Sequence, residues 1–153
     1  MRNKKEGLRV VKKDNKYGYI DASDNLVIPL NYEKAYNFEK IGLAVIQKNS
    51  KQGCIDKTNK LIIPIKYDRI YTFKESLATV ILGDKKGKIN QKGDIIVPIE
   101  YDKIIAYKNN FAVVIKNGKS GCIDKFGKLI VPLTYDKIFN FQQSGYAVVV
   151  NNS

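Results

Sequence analysis

The sequence predicts an all-β repeat protein. Four three-stranded antiparallel units of about 34 residues stand in an open array or solenoid, finished by a C-terminal capping strand. Three observations lead there. Gly18, Gly53, Gly87 and Gly121 recur at intervals of 35, 34 and 34, and so do Pro29, Pro64, Pro98 and Pro132, and Tyr32, Tyr67, Tyr101 and Tyr135. The segments between these markers are short, rich in β-branched and aromatic residues, and hold no 3.6-residue period. The two ends depart from the middle copies, as the ends of a stacked repeat must. A four-bladed β-propeller is the alternative closure.

Each copy opens on a short apolar run: Leu8–Val11, Leu43–Ile46, Leu77–Ile81 and Phe111–Ile115. Polar turns follow at Lys12–Lys16, Gln47–Lys51, Gly83–Lys85 and Lys116–Lys119, so the first two strands form a hairpin. The second strand carries Ile20, Ile55, Ile89 and Ile123 as its core column. Beyond the column Asp21, Asp56, Asn90 and Asp124, every copy places Asp24, Asn59, Gly93 or Gly127 at the same point. These residue types enter the left-handed region most easily, which predicts φ > 0 in a tight turn. The third strand, as in Leu129-Ile130-Val131-Pro132, must end, bulge or lie at an edge at its proline, which has no N–H to give to a ladder. A Tyr-Asp/Glu-Lys/Arg segment then leads to an aromatic residue: Phe38, Phe73, Tyr107 or Phe141.

Ala44, Ala78, Ala112 and Ala147 form a column of small residues, which predicts close contact with the preceding copy. Arg9 holds that place in the first copy. An arginine is tolerable there if no unit precedes it, which favours the open array over the ring. At the other end Gly145-Tyr146-Ala147-Val148-Val149-Val150 is the first strand of a fifth copy and reads as the cap. The chain is expected to be one domain, 1–153, with repeats at about 7–41, 42–76, 77–110 and 111–144 and the cap at 145–150.

The pattern resembles the bacterial WG-repeat (KWG-repeat) family over Gly7 to Val150. Tyr17-Gly18-Tyr19-Ile20-Asp21, Val27-Ile28-Pro29, Gly42-Leu43-Ala44 and Tyr67-Asp68 carry the resemblance. The tryptophan of the family motif is replaced in all four copies, by Tyr17, Gln52, Lys86 and Ser120. The resemblance implies a tandem β-repeat array and no particular activity.

Composition narrows function more by exclusion. A hydrophobic fraction of 44% supplies a core. No apolar run approaches the ~20 residues of a membrane span. No secretory signal is seen, so the compartment is open and the cytoplasm is favoured. The chain has no His, which excludes Ser-His-Asp and Cys-His catalysis and histidine metal sites. No cofactor is expected and no enzyme. Cys54 and Cys122 hold equivalent places two repeats apart, with no CxxC spacing, and read as small buried side chains. The carboxylates Glu33, Asp68, Asp102 and Asp136, and Asp21, Asp56 and Asp124, recur in the copies and read as turn caps rather than catalytic groups.

The candidate binding residues are basic. Net charge is +12, mostly from lysine, which composition from an AT-rich genome would also give. Lys16, Lys51, Lys85 and Lys119 precede the repeat glycines by two residues, thickened by Lys13, Lys48 and Lys116. Lys34, Arg69, Lys103 and Lys137 follow the Tyr-Asp/Glu pair. As stripes they would track phosphates or an acidic partner. Otherwise the first column solvates a hairpin tip and the second pairs with nearby acids. The function expected first is a non-catalytic, monomeric module presenting an extended surface to a protein partner. Nucleic-acid or polyanion binding through the Lys stripes is the alternative, and glycan or cell-envelope binding through exposed tyrosines is the third.

Overall fold

The computed structural model describes residues 7–105, 110–139 and 147–151. They form an all-β protein of four antiparallel repeats, with no helix among the described residues and so none long and apolar enough to cross a membrane. Two compact units are present. One holds the described residues up to Tyr71 together with Gln91–Gly93; the other holds Thr72–Asn90 and the described residues from Asp94 onward.

In the N-terminal unit the first repeat supplies β1 (Arg9–Lys13), β2 (Lys16–Ile20) and β3 (Leu26–Tyr32), paired in that order. Next come β4 (Lys34–Ala35), β5 (Leu43–Lys48), β6 (Lys51–Asp56) and β7 (Leu61–Tyr67), one sheet in chain order, and then β8 (Arg69–Ile70). The C-terminal unit contains β9 (Leu77–Leu82), β10 (Lys85–Asn90) and β11 (Ile95–Tyr101). It continues with the sheet β12 (Lys103–Ile104), β13 (Phe111–Lys116), β14 (Lys119–Asp124) and β15 (Leu129–Tyr135). Last is the pair β16 (Lys137–Ile138) and β17 (Val149–Val150).

The three strands expected of each copy are present, and a fourth accompanies them. The short strands β4 and β12 leave their own repeat and pair with the first strand of the next, Ala35 opposite Ile46 and Ile104 opposite Val114. The cap is built the same way, with Ile138 opposite Val149. Of the sequence-derived features, Tyr107 and Phe141 of the aromatic column and Gly145 and Tyr146 of the cap lie outside the described residues.

Both turns follow from residue chemistry. The first is tighter than its polar stretch suggested, with only two residues between paired strand ends, as at Lys13–Lys16, Lys48–Lys51 and Lys116–Lys119. Asp14-Asn15, Asn49-Ser50 and Asn117-Gly118 all take positive φ, the type I′ geometry that matches strand twist. At the second turn Asp24, Asn59, Gly93 and Gly127 have φ of 65°, 68°, 90° and 83°, as their side chains predicted. Asp56 caps that turn by accepting the N–H groups of Thr58 and Lys60 at 2.8 and 2.9 Å, and Asp21 and Asp124 do the same in their copies. Those bonds hold the Asp21 and Asp56 carboxyls below the usual carboxylate range, the Asn25 and Thr58 side-chain bonds contributing most.

The third strand runs through its proline by bulging and lies outermost in its sheet. Gln52 pairs with Tyr67 but Cys54 with Ile63, so three residues including Pro64 face the single Gly53. The bulge presses backbone against that glycine: a Cβ there would meet Ile63 O at 2.6 Å. The glycine and proline columns therefore exist because of each other.

The core forms where repeats meet. In the N-terminal unit Tyr19, Ile28 and Ala35 cluster with Ala44, Ile46 and Ile55 of the next copy. The Tyr19 ring lies 4.9 Å from Phe38, and its buried hydroxyl donates to the Tyr36 carbonyl at 2.7 Å. In the C-terminal unit Val97 and Tyr101 cluster with Ala112, Val114 and Ile123. On the other face of β13, Val113 packs with Cys122 and Ile138, and Ala147 of the cap leans on them. The unbroken run Ala112-Val113-Val114 is thus a strand buried on both faces. Arg9, at the register of the alanine column, is exposed and pairs with Asp24.

The repeat also exposes a local defect. Tyr32 donates its hydroxyl to the Asn59 side chain at 2.7 Å. The equivalent Tyr67 is fully buried, and its hydroxyl has no partner among the described residues. The place of Asn59 is taken by Gly93, where a Cβ would make only ordinary contacts, the nearest with Ile63 Cγ1 at 3.5 Å and Ile62 O at 3.7 Å. Gly93→Asn is expected to supply the missing acceptor, worth about 1 kcal/mol, less the strain of a side chain at φ 90° that asparagine tolerates better than most, for a rise in Tm of no more than about 2 °C. Gly127→Asn, whose Cβ would sit 2.3 Å from Ile96 O, is expected to lower it. A Tm for Gly93→Asn at or below wild type refutes this pairing.

Candidate interaction surface

The bulge that shapes each repeat also decides the fate of the first basic column. Continued from Cys54–Ile63, a straight ladder would set Asp68 opposite Asn49; the register after the bulge, fixed by Gln52–Tyr67, sets it opposite Lys51. Lys51 accordingly donates to Asp68, Lys85 to Asp102 and Lys119 to Asp136. In the first copy Glu33 instead accepts the Asn49 and Ser50 N–H groups at 2.9 and 3.0 Å, with Lys16 near enough to favour its charged form. Asp102 likewise accepts the Asn117 N–H at 2.7 Å, and Lys116 reaches Glu100 at 2.8 Å. The Lys85 bond, then Asn117, holds the Asp102 carboxyl low, and Asp102 in turn raises the Lys85 ammonium. These pairs are open to solvent and contribute little to stability. Their consequence for binding is larger: in three copies the lysine stands beside an opposite charge, and its field at a distance is cut.

The second column behaves differently. Lys34, Arg69, Lys103 and Lys137 are all exposed at the first position of a short strand. The acid pairing that the sequence offered for this column belongs instead to the first. Arg69 lies over the Tyr71 ring at 4.9 Å and Lys137 over Phe139 at 4.6 Å. Such contacts leave the positive charge facing solvent.

A third column was not singled out from the sequence. Leu26, Leu61, Ile95 and Leu129 open the outermost strand of each repeat, and each is about half exposed, between 43 and 55%. An apolar run such as Leu-Val-Ile reads as wholly buried. A one-residue register shift between Tyr19–Ile28 and Ile20–Leu26, repeated in the other copies, breaks the alternation and leaves the first residue outside. The signal available in the sequence was the position itself, directly after a left-handed turn residue and its neighbour.

The two cysteines are free and fully buried, and burial pushes the Cys54 thiol up to about 12 and Cys122 to about 11, so neither is a nucleophile at neutral pH. The residues at the motif tryptophan position turn inward in two copies: Gln52 and Ser120 are buried, and Gln52 accepts the Ile70 N–H at 2.8 Å.

Four successive stretches, residues 17–51, 53–85, 87–119 and 121–153, match the family described as WG containing repeat. Among solved structures the chain is similar to Hsv2 of Kluyveromyces lactis, with 9% sequence identity and a TM-score of 0.43 over 79% of this chain and 43% of that one. It thus spans less than half the length of that protein. No curated protein matches it.

Proposed function

The chain belongs to the WG-repeat family, and from that premise we propose that it is a non-catalytic module that presents a repeated surface to a protein partner. The half-exposed column Leu26, Leu61, Ile95 and Leu129 supports this reading most directly. Covering the exposed part of each side chain would contribute about 1 kcal/mol. Each compact unit carries two of these side chains, so the gross gain within one unit is about 2 kcal/mol, below the association cost, and the polar surroundings must also find partners. The exposed Lys34, Arg69, Lys103 and Lys137 would supply them, with acidic groups on the partner.

A second reading, binding of nucleic acid or another polyanion, draws on the same second column. It no longer draws on Lys51, Lys85 and Lys119, which already face carboxylates. A pair of measurements separates the two. The immobilised chain is expected to retain a discrete protein from host lysate at physiological salt, and to lose it when Leu26, Leu61, Ile95 and Leu129 are replaced by serine. Binding to mixed-sequence single- and double-stranded oligonucleotides should be no tighter than the ~10⁻⁴–10⁻⁶ M of ordinary non-specific contact. Sub-micromolar oligonucleotide binding would reverse the order of the two readings. It would have to show a slope of log affinity on log salt of about −3 to −4 that vanishes when Lys34, Arg69, Lys103 and Lys137 become glutamine.

A further inference from the structure

Because four copies of one pattern share the chain, each position carries its own internal control. Three departures from the pattern converge on one groove in the C-terminal unit. The inward position held by Tyr19, Cys54 and Cys122, all fully buried, is Lys88 in the third copy. The turn-capping carboxylate of Asp21, Asp56 and Asp124 is the neutral Asn90. The turn position held by Ser23, Thr58 and Lys92 is Phe126, 71% exposed.

The groove they line has a volume of about 810 Å³. That falls within the range of roughly 300–1,000 Å³ typical of small-molecule sites. Lys74 and Lys125 line it with Lys88, the Lys125 ammonium lying 5.1 Å from the centre of the Phe126 ring, and among the described lining residues Glu75 is the one carboxylate. Relative to the other copies, the change to Lys88 adds one positive charge and the change to Asn90 removes one negative charge. Burial, reinforced by Lys74 and opposed by Glu75, pulls the Lys88 ammonium below its usual range, so an arriving negative charge gains by stabilising it. The rest of the lining sets the apolar Phe126, Ile96 and Leu77 beside the polar Ser76, Asn90 and Asn110. Glu75 and Ser76, also in the lining, are the two positive-φ residues (48° and 71°) of the tight turn closed by the Lys74–Leu77 bridge.

We propose that this groove binds a small organic anion, a carboxylate or phosphate carried on a flat apolar body. The anionic group lies among Lys74, Lys88 and Lys125, and the body lies on Phe126. The site is separate from the protein-binding reading and does not depend on it.

The test is amide chemical-shift titration of the whole chain with four probes: adenosine 5′-monophosphate, indole-3-acetate, inorganic phosphate and indole. At least one of the first two is expected to saturate with Kd below about 1 mM at physiological salt, shifting residues 74–77, 88, 90, 125 and 126. Which of them does so distinguishes phosphate from carboxylate. Lys88→Cys and Phe126→Ser each install a residue that another copy holds at the same place, so both should fold. Each is expected to weaken binding about tenfold or more. The proposal is overturned if neither organic anion gives a saturable shift at these residues. It is also overturned if both variants bind as tightly as wild type. Equal affinity for inorganic phosphate would refute the role of Phe126, and equal affinity for indole would refute the role of the lysines.

Discussion

Ala112→Arg is expected to destabilise the protein by about 4 kcal/mol, enough to leave it poorly folded or insoluble. Ala112 is 1% exposed and sits among Val97, Tyr101, Val114 and Ile123, where the third and fourth repeats meet. A long side chain must displace those neighbours, and its guanidinium would enter a cluster of buried apolar side chains. The register partner of Ile123 in β14 is Ala112, and that of Ile20 in β2 is Arg9. Arg9→Ala removes only an exposed ion pair with Asp24 and should cost less than about 1 kcal/mol. Urea denaturation of the two variants beside wild type checks the contrast. Similar losses at both positions would mean that the alanine column is not a contact between successive repeats.

Gly87→Ala is expected to be nearly as damaging, at about 3 kcal/mol, although it adds one methyl group. The new Cβ would stand 2.6 Å from Val97 O and 2.8 Å from Ile99 Cα. Both are backbone atoms of the bulged strand, so relief requires the bulge itself to move. Gly83→Ala serves as the control. Gly83 has φ of 64°, and a methyl group added there would meet nothing within 4 Å, so the cost is the left-handed penalty alone, about 1–2 kcal/mol. Thermal denaturation should place Gly87→Ala clearly below Gly83→Ala. The reverse order would show that the close approach in β10 is relieved without strain.

The sequence carried the repeat, the turn residues and the interface alanines because each is a local requirement repeated four times. Asp24, Asn59, Gly93 and Gly127 share a backbone conformation, and Ala44 and Ala112 share a lack of space. What could not be counted was anything placed by a register shift, on either side of the proline. Side-chain faces in a strand are read by alternation, and the bulge at Pro64 shifts the count. The pairing of Lys51 with Asp68 and the exposure of Leu61 both depend on such shifts. The strands β4 and β12 were hidden for another reason: two residues, Lys-Ala or Lys-Ile, carry no period at all. Lys88 departs from a column otherwise held by Tyr19, Cys54 and Cys122, which the sequence records, but nothing in the chain order places Phe126 in the same groove.

The prolines bear on how any partner can attach. Many β-domains capture a peptide by letting it join the sheet as one more strand, which needs a straight outer edge with free N–H and C=O groups at regular intervals. Here the outermost strands β3, β7, β11 and β15 each carry a proline at mid-length, which lacks an N–H, within a bulge that throws the ladder out of step. An incoming backbone would find a gap in the donors and a kink in the spacing. The same interruption that discourages one molecule from adding its strands to another therefore confines recognition on these strands to side chains.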